Sequence, residues 1–241
     1  MAYGKKRIRR RSVSRRPIKR RRTMRRRSRS KYSAVSVARP LVPPSRTMKL
    51  RYVESGIKLN ASTGQSQFYL MSGNSLYDPN QSGSGHQPYY FDQLTTFYEK
   101  YCVLWSKISV KATTTDASRL FKVSIIPSLS SSWSISETDL AQEIAGNRTT
   151  VFTGFQMSKG IGMVANSRKT KTLLGVKDVL DDPDNFGLTG NLGTGSGPGN
   201  EWYWIIVVQC CDLAVDPVDI LLDIQMDYIA KFTDRRNIND S

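Results

Sequence analysis

The side chains best equipped for chemistry in this sequence are cations, and nearly half of them stand in one stretch, KKRIRRRSVSRRPIKRRRTMRRRSRSK, residues 5 to 31. Lys5, Lys6, Arg7, Arg9, Arg10, Arg11, Arg15, Arg16, Lys19, Arg20, Arg21, Arg22, Arg25, Arg26, Arg27, Arg29 and Lys31 place 17 positive charges in 27 positions, 13 of them arginine, with no carboxylate among them. A guanidinium offers a forked set of donors that matches phosphate oxygens, so the chemistry predicted here is phosphate recognition. Each phosphate neutralised releases condensed counterions, which makes binding tight, indifferent to sequence and strongly weakened by salt. The only aromatic residues near the run are Tyr3 and Tyr32, so base stacking contributes little there. A run without acids cannot be laced by salt bridges as a solvated face is, and nucleic acid is the expected partner. An anionic membrane is the weaker alternative, because no apolar helix face accompanies the charge. The clusters KKRIRRR and KRRRTMRRR also have the composition of nuclear import signals.

Other candidates for chemistry are sparse. The single histidine, His86, lies in a Gly/Ser/Pro/Gln stretch without the neighbours that a general base or a metal site requires. The glycines at 187, 190, 193, 195, 197 and 199 lack the Gly-Lys-Ser/Thr that completes a phosphate loop, and read instead as a flexible connection. Asp181, Asp182 and Asp184 form one dense acidic cluster. An ion shared between subunits is conceivable there, but without EF-hand spacing a solvated turn around Pro183 is the favoured reading. Cys102 stands alone and Cys210 and Cys211 are adjacent, so no disulfide framework or ligand spacing is visible and buried thiols are expected. With no triad, metal motif or cofactor fingerprint, no enzymatic activity and no cofactor are expected.

The elements that must carry these residues divide the chain in two. Residues 1 to 50 hold 20 basic residues and no acid, whereas residues 51 to 241 hold the other 16 against all 20 Asp and Glu, a net charge of −4. The first part has too few apolar side chains to offset the ordering of a self-repelling backbone and is expected to be disordered when alone. Its Pro/Ser end, SAVSVARPLVPPSRT, is an extended connector. The expected division is therefore 1–46, a basic arm and linker, and 47–241, one domain large enough for a real core. No apolar run approaches the ~18 residues of a membrane span, and the charged N-terminus lacks the apolar stretch of a secretory signal, so a nucleocytoplasmic compartment without membrane insertion is expected.

Strand patterns dominate the second part. DILLDIQMDYIAKF puts Ile220, Leu222, Ile224, Met226, Tyr228, Ala230 and Phe232 on one side and Asp219, Asp223, Gln225, Asp227 and Lys231 on the other. EWYWIIVVQCC is apolar on both faces, as in a strand covered above and below. TMKLRYVESGIKL places Met48, Leu50 and Tyr52 on one face and then Val53, Ile57 and Leu59, a slip that a bulge near Ser55 and Gly56 explains. Strands are also predicted at 103–113 and 119–126. Two helices interrupt them: FDQLTTFYEKY, with Phe91, Leu94, Tyr98 and Tyr101 in a stripe, and SISETDLAQEI, capped by Ser136. Residues 72–87 and 187–200 read as exposed loops. More strands than helices, with no βαβ rhythm, predict an all-β fold, an antiparallel eight-stranded sandwich or single jelly roll with two short helices in its loops.

An Arg-rich arm, a Pro/Ser connector and a strand-rich domain, together with FDQLTTFYEKYCVLWSKISV (91–110), TLLGVKDVLDD (172–182) and DIQMDYIAKFTDRR (223–236), resemble the capsid proteins of small eukaryotic viruses with circular, rep-encoding single-stranded DNA genomes, the circovirus-like group. The resemblance implies a jelly roll that self-assembles, typically into a sixty-subunit icosahedral shell, with the arm inward on the single-stranded DNA, and a life divided between the virion and the host nucleus. Sixty copies of residues 1–50, with 20 positive charges each, would supply ~1,200 cations, against one negative charge per nucleotide. The acidic balance of residues 51–241 is expected to make the shell and avoid the genome. A reading from another class is a cellular nucleic-acid-binding module with a basic tail, associated with ribosomes or chromatin. It predicts a monomer or small oligomer with further cations clustered on the domain, and the net negative charge of residues 51–241 argues against it.

Overall fold

The strongest alternation in the sequence becomes the centre of the fold. The structure is a computed structural model that describes residues 42–59, 66–114, 121–132, 151–155, 161–185, 196–210 and 219–236. In β8 (Ile220–Arg235) every residue of the apolar set from Ile220 to Phe232 is buried. It pairs antiparallel with β1 (Arg46–Leu59) on one side and β3 (Tyr98–Thr114) on the other. With β6 (Ile161–Lys169) added beyond β3, the first sheet has four strands in the order β1-β8-β3-β6. The second contains β2 (Gln67–Ser72), β4 (Phe121–Ser128), β5 (Val151–Phe155) and β7 (Tyr203–Cys210), in the order β2-β7-β4-β5. Strand 1 thus pairs with 8, 2 with 7, 3 with 6 and 4 with 5. These are the pairings of one long hairpin rolled over itself, and they define the jelly roll that the sequence predicts.

The core lies between the sheets. Trp202 and Trp204 are fully buried and meet edge to face, with centroids 5.0 Å apart. Burying a large apolar side chain contributes about 1.5–3 kcal/mol. Polar bridges cross this core from sheet to sheet. Trp204 Nε1 donates to Ser106 Oγ at 3.0 Å, the Tyr228 hydroxyl to the Ser72 carbonyl at 2.8 Å, and Asn166 Nδ2 to the Ile125 carbonyl at 3.3 Å. As predicted, β7 is apolar on both faces: Trp204, Ile206 and Val208 enter the main core, and Ile205 and Val207 join Ile126 in a second cluster.

The bulge in β1 falls where the pattern slips, with the register shift between Glu54 and Ile57 and Gly56 at φ 74°, a conformation that glycine adopts without strain. Val53, expected inward, is 49% exposed. It stands opposite Gln225 on the outward side, and the inward series resumes only at Ile57 and Leu59. A larger correction concerns the first helix. Only Phe91–Thr95 (α1) is helical, and Tyr98 and Tyr101 already belong to β3. The Thr95 and Thr96 hydroxyls turn back onto the carbonyls of Asp92 and Gln93, and β8 runs far enough, to Arg235, to give Tyr98 a ladder partner. Both tyrosines are buried, so the apolar positions are as read but the period is not.

Residues 72–87 are likewise less exposed than expected. Leu76 joins the main core, and Ser72, Asn74, Ser75 and Asn80 are buried with it, their short polar groups serving as hydrogen-bond partners. Ser72 Oγ accepts from the Ser75 N–H, and Asn74 Oδ1 accepts from the Trp202 N–H. A short helix after β6, Thr170–Leu174 (α2), ends at Gly175 with φ 70°. The predicted helix at SISETDLAQEI and most of the glycine-rich stretch lie outside the described residues.

Candidate nucleic-acid interface

The seventeen cations predicted to contact nucleic acid, Lys5 to Lys31, lie outside the described residues, and the structure bears on the domain alone. The described chain starts at Val42 beside the end of β8. Arg235 donates to the Val42 carbonyl at 3.1 Å, and the Tyr98 hydroxyl to the Pro43 carbonyl at 3.1 Å.

Antiparallel register brings together charges that are far apart in sequence. The side chains on the outer face of the first sheet come from alternate residues of four strands, and they line up in rows. One row runs Lys49, Ile229, Trp105, Lys169; the next runs Arg51, Asp227, Lys107, Ser167. Lys231 and Lys111 extend the face in the two strand directions. The acids that β8 and the residue before it bring to this face are Asp219, Asp223 and Asp227. Each of the outer two stands against a cation or a backbone donor, with Lys58 Nζ 2.6 Å from Asp219 and the Gly56 N–H 3.3 Å from Asp223. Asp227 is the most enclosed. Arg51 Nε donates to it at 2.8 Å and Lys49 Nζ at 3.0 Å. Burial by itself would raise the Asp227 carboxyl, but hydrogen bonds and charge from Arg51 and Lys49 outweigh that and hold it below the usual carboxylate range.

The net −4 of residues 51–241 is therefore not spread evenly, and cations outnumber acids on this face. No single strand shows the excess, because each contributes only one to three of the cations.

A groove opens on the same face. The β3 ladder shifts register between Val103 and Trp105, and the extra residue turns Leu104 and Trp105 toward the outside, both half-buried. With Val179, Leu180 and Ile229 they form an apolar floor, and Lys169, Lys171 and Asp178 stand at the rim of a volume of about 490 Å³. Sequence reasoning placed Trp105 within a strand but gave it no role. Two neighbouring apolar positions at a strand bulge were the available signal.

The remaining candidates have structural explanations. The ring nitrogens of His86 lie 2.9 Å from the carbonyl oxygens of Gln87 and Val53, and its ring packs against Tyr52. Asp182 caps the 3-10 turn Pro183–Asn185 by accepting from the Asp184 N–H at 2.9 Å, which makes the acidic cluster a turn. Among the described residues no group of three His, Cys, Asp or Glu is placed to hold a metal ion. Cys102 is buried, and burial, then Asp178 and Asp182, push its thiol up to about 12. Cys210 and Cys211 cannot be placed beside it, because the side chain of the first and the whole of the second lie outside the description. Among the described residues no helix is long and apolar enough to cross a membrane.

The strand order makes the domain a single jelly roll, and solved virus structures align with it. The structure of Mud crab tombus-like virus, at 10% identity, aligns over 84% of this chain and 95% of its own with a TM-score of 0.50. The structure of Macrobrachium rosenbergii nodavirus aligns at 14% identity over 85% of this chain and 61% of its own, with a TM-score of 0.48. The decameric BFDV capsid protein aligns at 11% identity over 78% and 99%, with a TM-score of 0.45. No protein family profile and no curated protein sequence matches the chain.

Proposed function

We propose that this chain is the coat protein of a small icosahedral virus, and that it is a structural protein, not an enzyme. Residues 47–241 form the shell, and residues 1–46 form an arm that packages the genome. The observation that carries this reading is the combination of one jelly roll with 17 cations and no acid in residues 5–31. A jelly roll of this order offers sheet faces and loops for packing against copies of itself, and the arm supplies cations to neutralise the phosphates of a packaged strand. The arm arginines act collectively, and its clusters also serve nuclear import. The packaged strand is taken to be single-stranded DNA on the sequence resemblance alone, which also supports assembly of about sixty copies in the host nucleus and residence in the virion.

The test is electron microscopy of purified full-length protein with the ratio of absorbance at 260 and 280 nm read on the same sample, repeated after deletion of residues 1–46. Closed, uniform shells about 20 nm across that carry nucleic acid only when the arm is present are the expected result. Shells whose nucleic-acid content is unchanged by the deletion would overturn the role of the arm.

The basic outer face of the first sheet favours a second reading, the cellular nucleic-acid-binding module, which expects cations on the domain as well as the tail. Small, open oligomers that bind nucleic acid without closing would decide for it.

A further inference from the structure

We propose that the outer face of the β1-β8-β3-β6 sheet is a second contact for single-stranded nucleic acid, in which a base stacks on Trp105 and neighbouring phosphates are held by Lys107, Lys169 and Lys171. The inference rests on the packaging reading above and extends it from the arm to the domain. It starts from the groove: an apolar floor of Leu104, Trp105, Val179, Leu180 and Ile229, open to the outside, with Lys169 and Lys171 at its rim. A half-exposed indole that shares its groove with two lysines matches a nucleotide in both of its parts, since any base has a face to stack and any nucleotide a phosphate to neutralise.

The rows extend the match. Lys49 and Lys169 flank Ile229 and Trp105 in one row, and Lys107 follows Trp105 on the same side of β3. With strands about 4.8 Å apart, the row from Lys49 to Lys169 spans roughly 14 Å, room for a few nucleotides of an extended strand. The acids nearby do not cancel the field. Asp227 is occupied by Arg51 and Lys49, which leaves Asp178 as the carboxylate on the groove rim. Charge also argues against the basic arm as occupant, because it would bring cations to cations. An acidic peptide would satisfy the lysines but has no use for an aromatic platform.

The test uses the full-length protein, irradiated at 254 nm with a single-stranded oligothymidylate, followed by mass-spectrometric mapping of nucleotide adducts. An adduct on the tryptic peptide Tyr101–Lys107, in addition to adducts in the arm, is expected. Trp105→Leu should lower its yield at least about fivefold, the lower bound for losing one base stack, and leave the arm adducts unchanged. Trp105→Phe should retain it, and K169E/K171E should lower it while the variant melts as the parent does. Adducts confined to the arm would overturn the inference and leave packaging intact. Adducts nowhere would sink the packaging reading itself. Failure of Trp105→Leu to form shells, together with an unmodified 101–107 peptide in the parent, would show that the face is a contact between copies and would overturn the inference too.

Discussion

Replacing Asp227 by asparagine should move stability and nucleic-acid binding in opposite directions. The carboxylate is nearly enclosed, while the Lys49 and Arg51 side chains that reach it are each 54% exposed. An exposed ion pair stabilises by about 0.2–1 kcal/mol, so two pairs on one carboxylate, less the one acceptor that asparagine keeps, come to roughly 1 kcal/mol. For a domain of this size that lowers Tm by about 2–4 °C. The sign with pH follows from the depressed carboxyl. Its contribution is fully present above the unfolded value of ~3.9 and is lost as pH falls through the lower folded value. Melts of the parent and Asp227→Asn should therefore be separated at pH 7 and converge toward pH 3. Freed from Asp227, Lys49 and Arg51 become available to phosphate, and the salt dependence of oligothymidylate binding should steepen by up to about 1.4 in log–log slope. An asparagine variant that melts with the parent at pH 7, or a gap as large at pH 3 as at pH 7, would refute the reasoning.

Other expectations concern the core. Ser106→Ala and Trp204→Phe each break the 3.0 Å bridge between the sheets and leave a buried polar group or a gap, at about 1–3 kcal/mol each. The double variant should cost clearly less than their sum, and chemical denaturation of all four proteins would show a cycle without coupling if the bridge is unimportant. Gly73→Ala should destabilise or abolish folding, because a β-carbon at that position would meet the ring of Trp202; circular dichroism and expression yield report it. Cys102, with its thiol near 12 and no exposure to speak of, should resist iodoacetamide at pH 8 in the native protein and react only after denaturation, as peptide mapping will read.

What was legible in the sequence tracks how local each signal was. β8 and β7 could be read outright because burial on one face or on two leaves an unbroken pattern, and the β1 bulge announced itself as a slip in that pattern. The stripe Phe91, Leu94, Tyr98, Tyr101 fits a helical period and a helix followed by a strand equally well. Only the reach of β8 to Arg235 decides between them. β2, β5 and β6 were not singled out, since each is short or carries polar residues whose partners lie elsewhere in the chain. The cationic face escaped for the same reason: Lys49, Lys107, Lys169 and Lys231 belong to four strands, and nothing short of the register makes them neighbours. The arm, by contrast, needed no register to be seen.

The pairing of the first strand with the last has a consequence in time. Arg46 stands opposite Phe232, so β1 waits for nearly the whole chain to be synthesised before its ladder can form, and β3 waits as long for the same partner. Contacts so distant in sequence make folding slow. Throughout that interval β1 lacks its ladder partner, with the cationic segment already emerged ahead of it. A polyanion that engages that segment early would meet a chain whose jelly roll has yet to fold. On the packaging reading proposed above, the order of translation would make the capture of nucleic acid and the folding of the jelly roll competing events, with their relative rates deciding how much chain folds before it is bound.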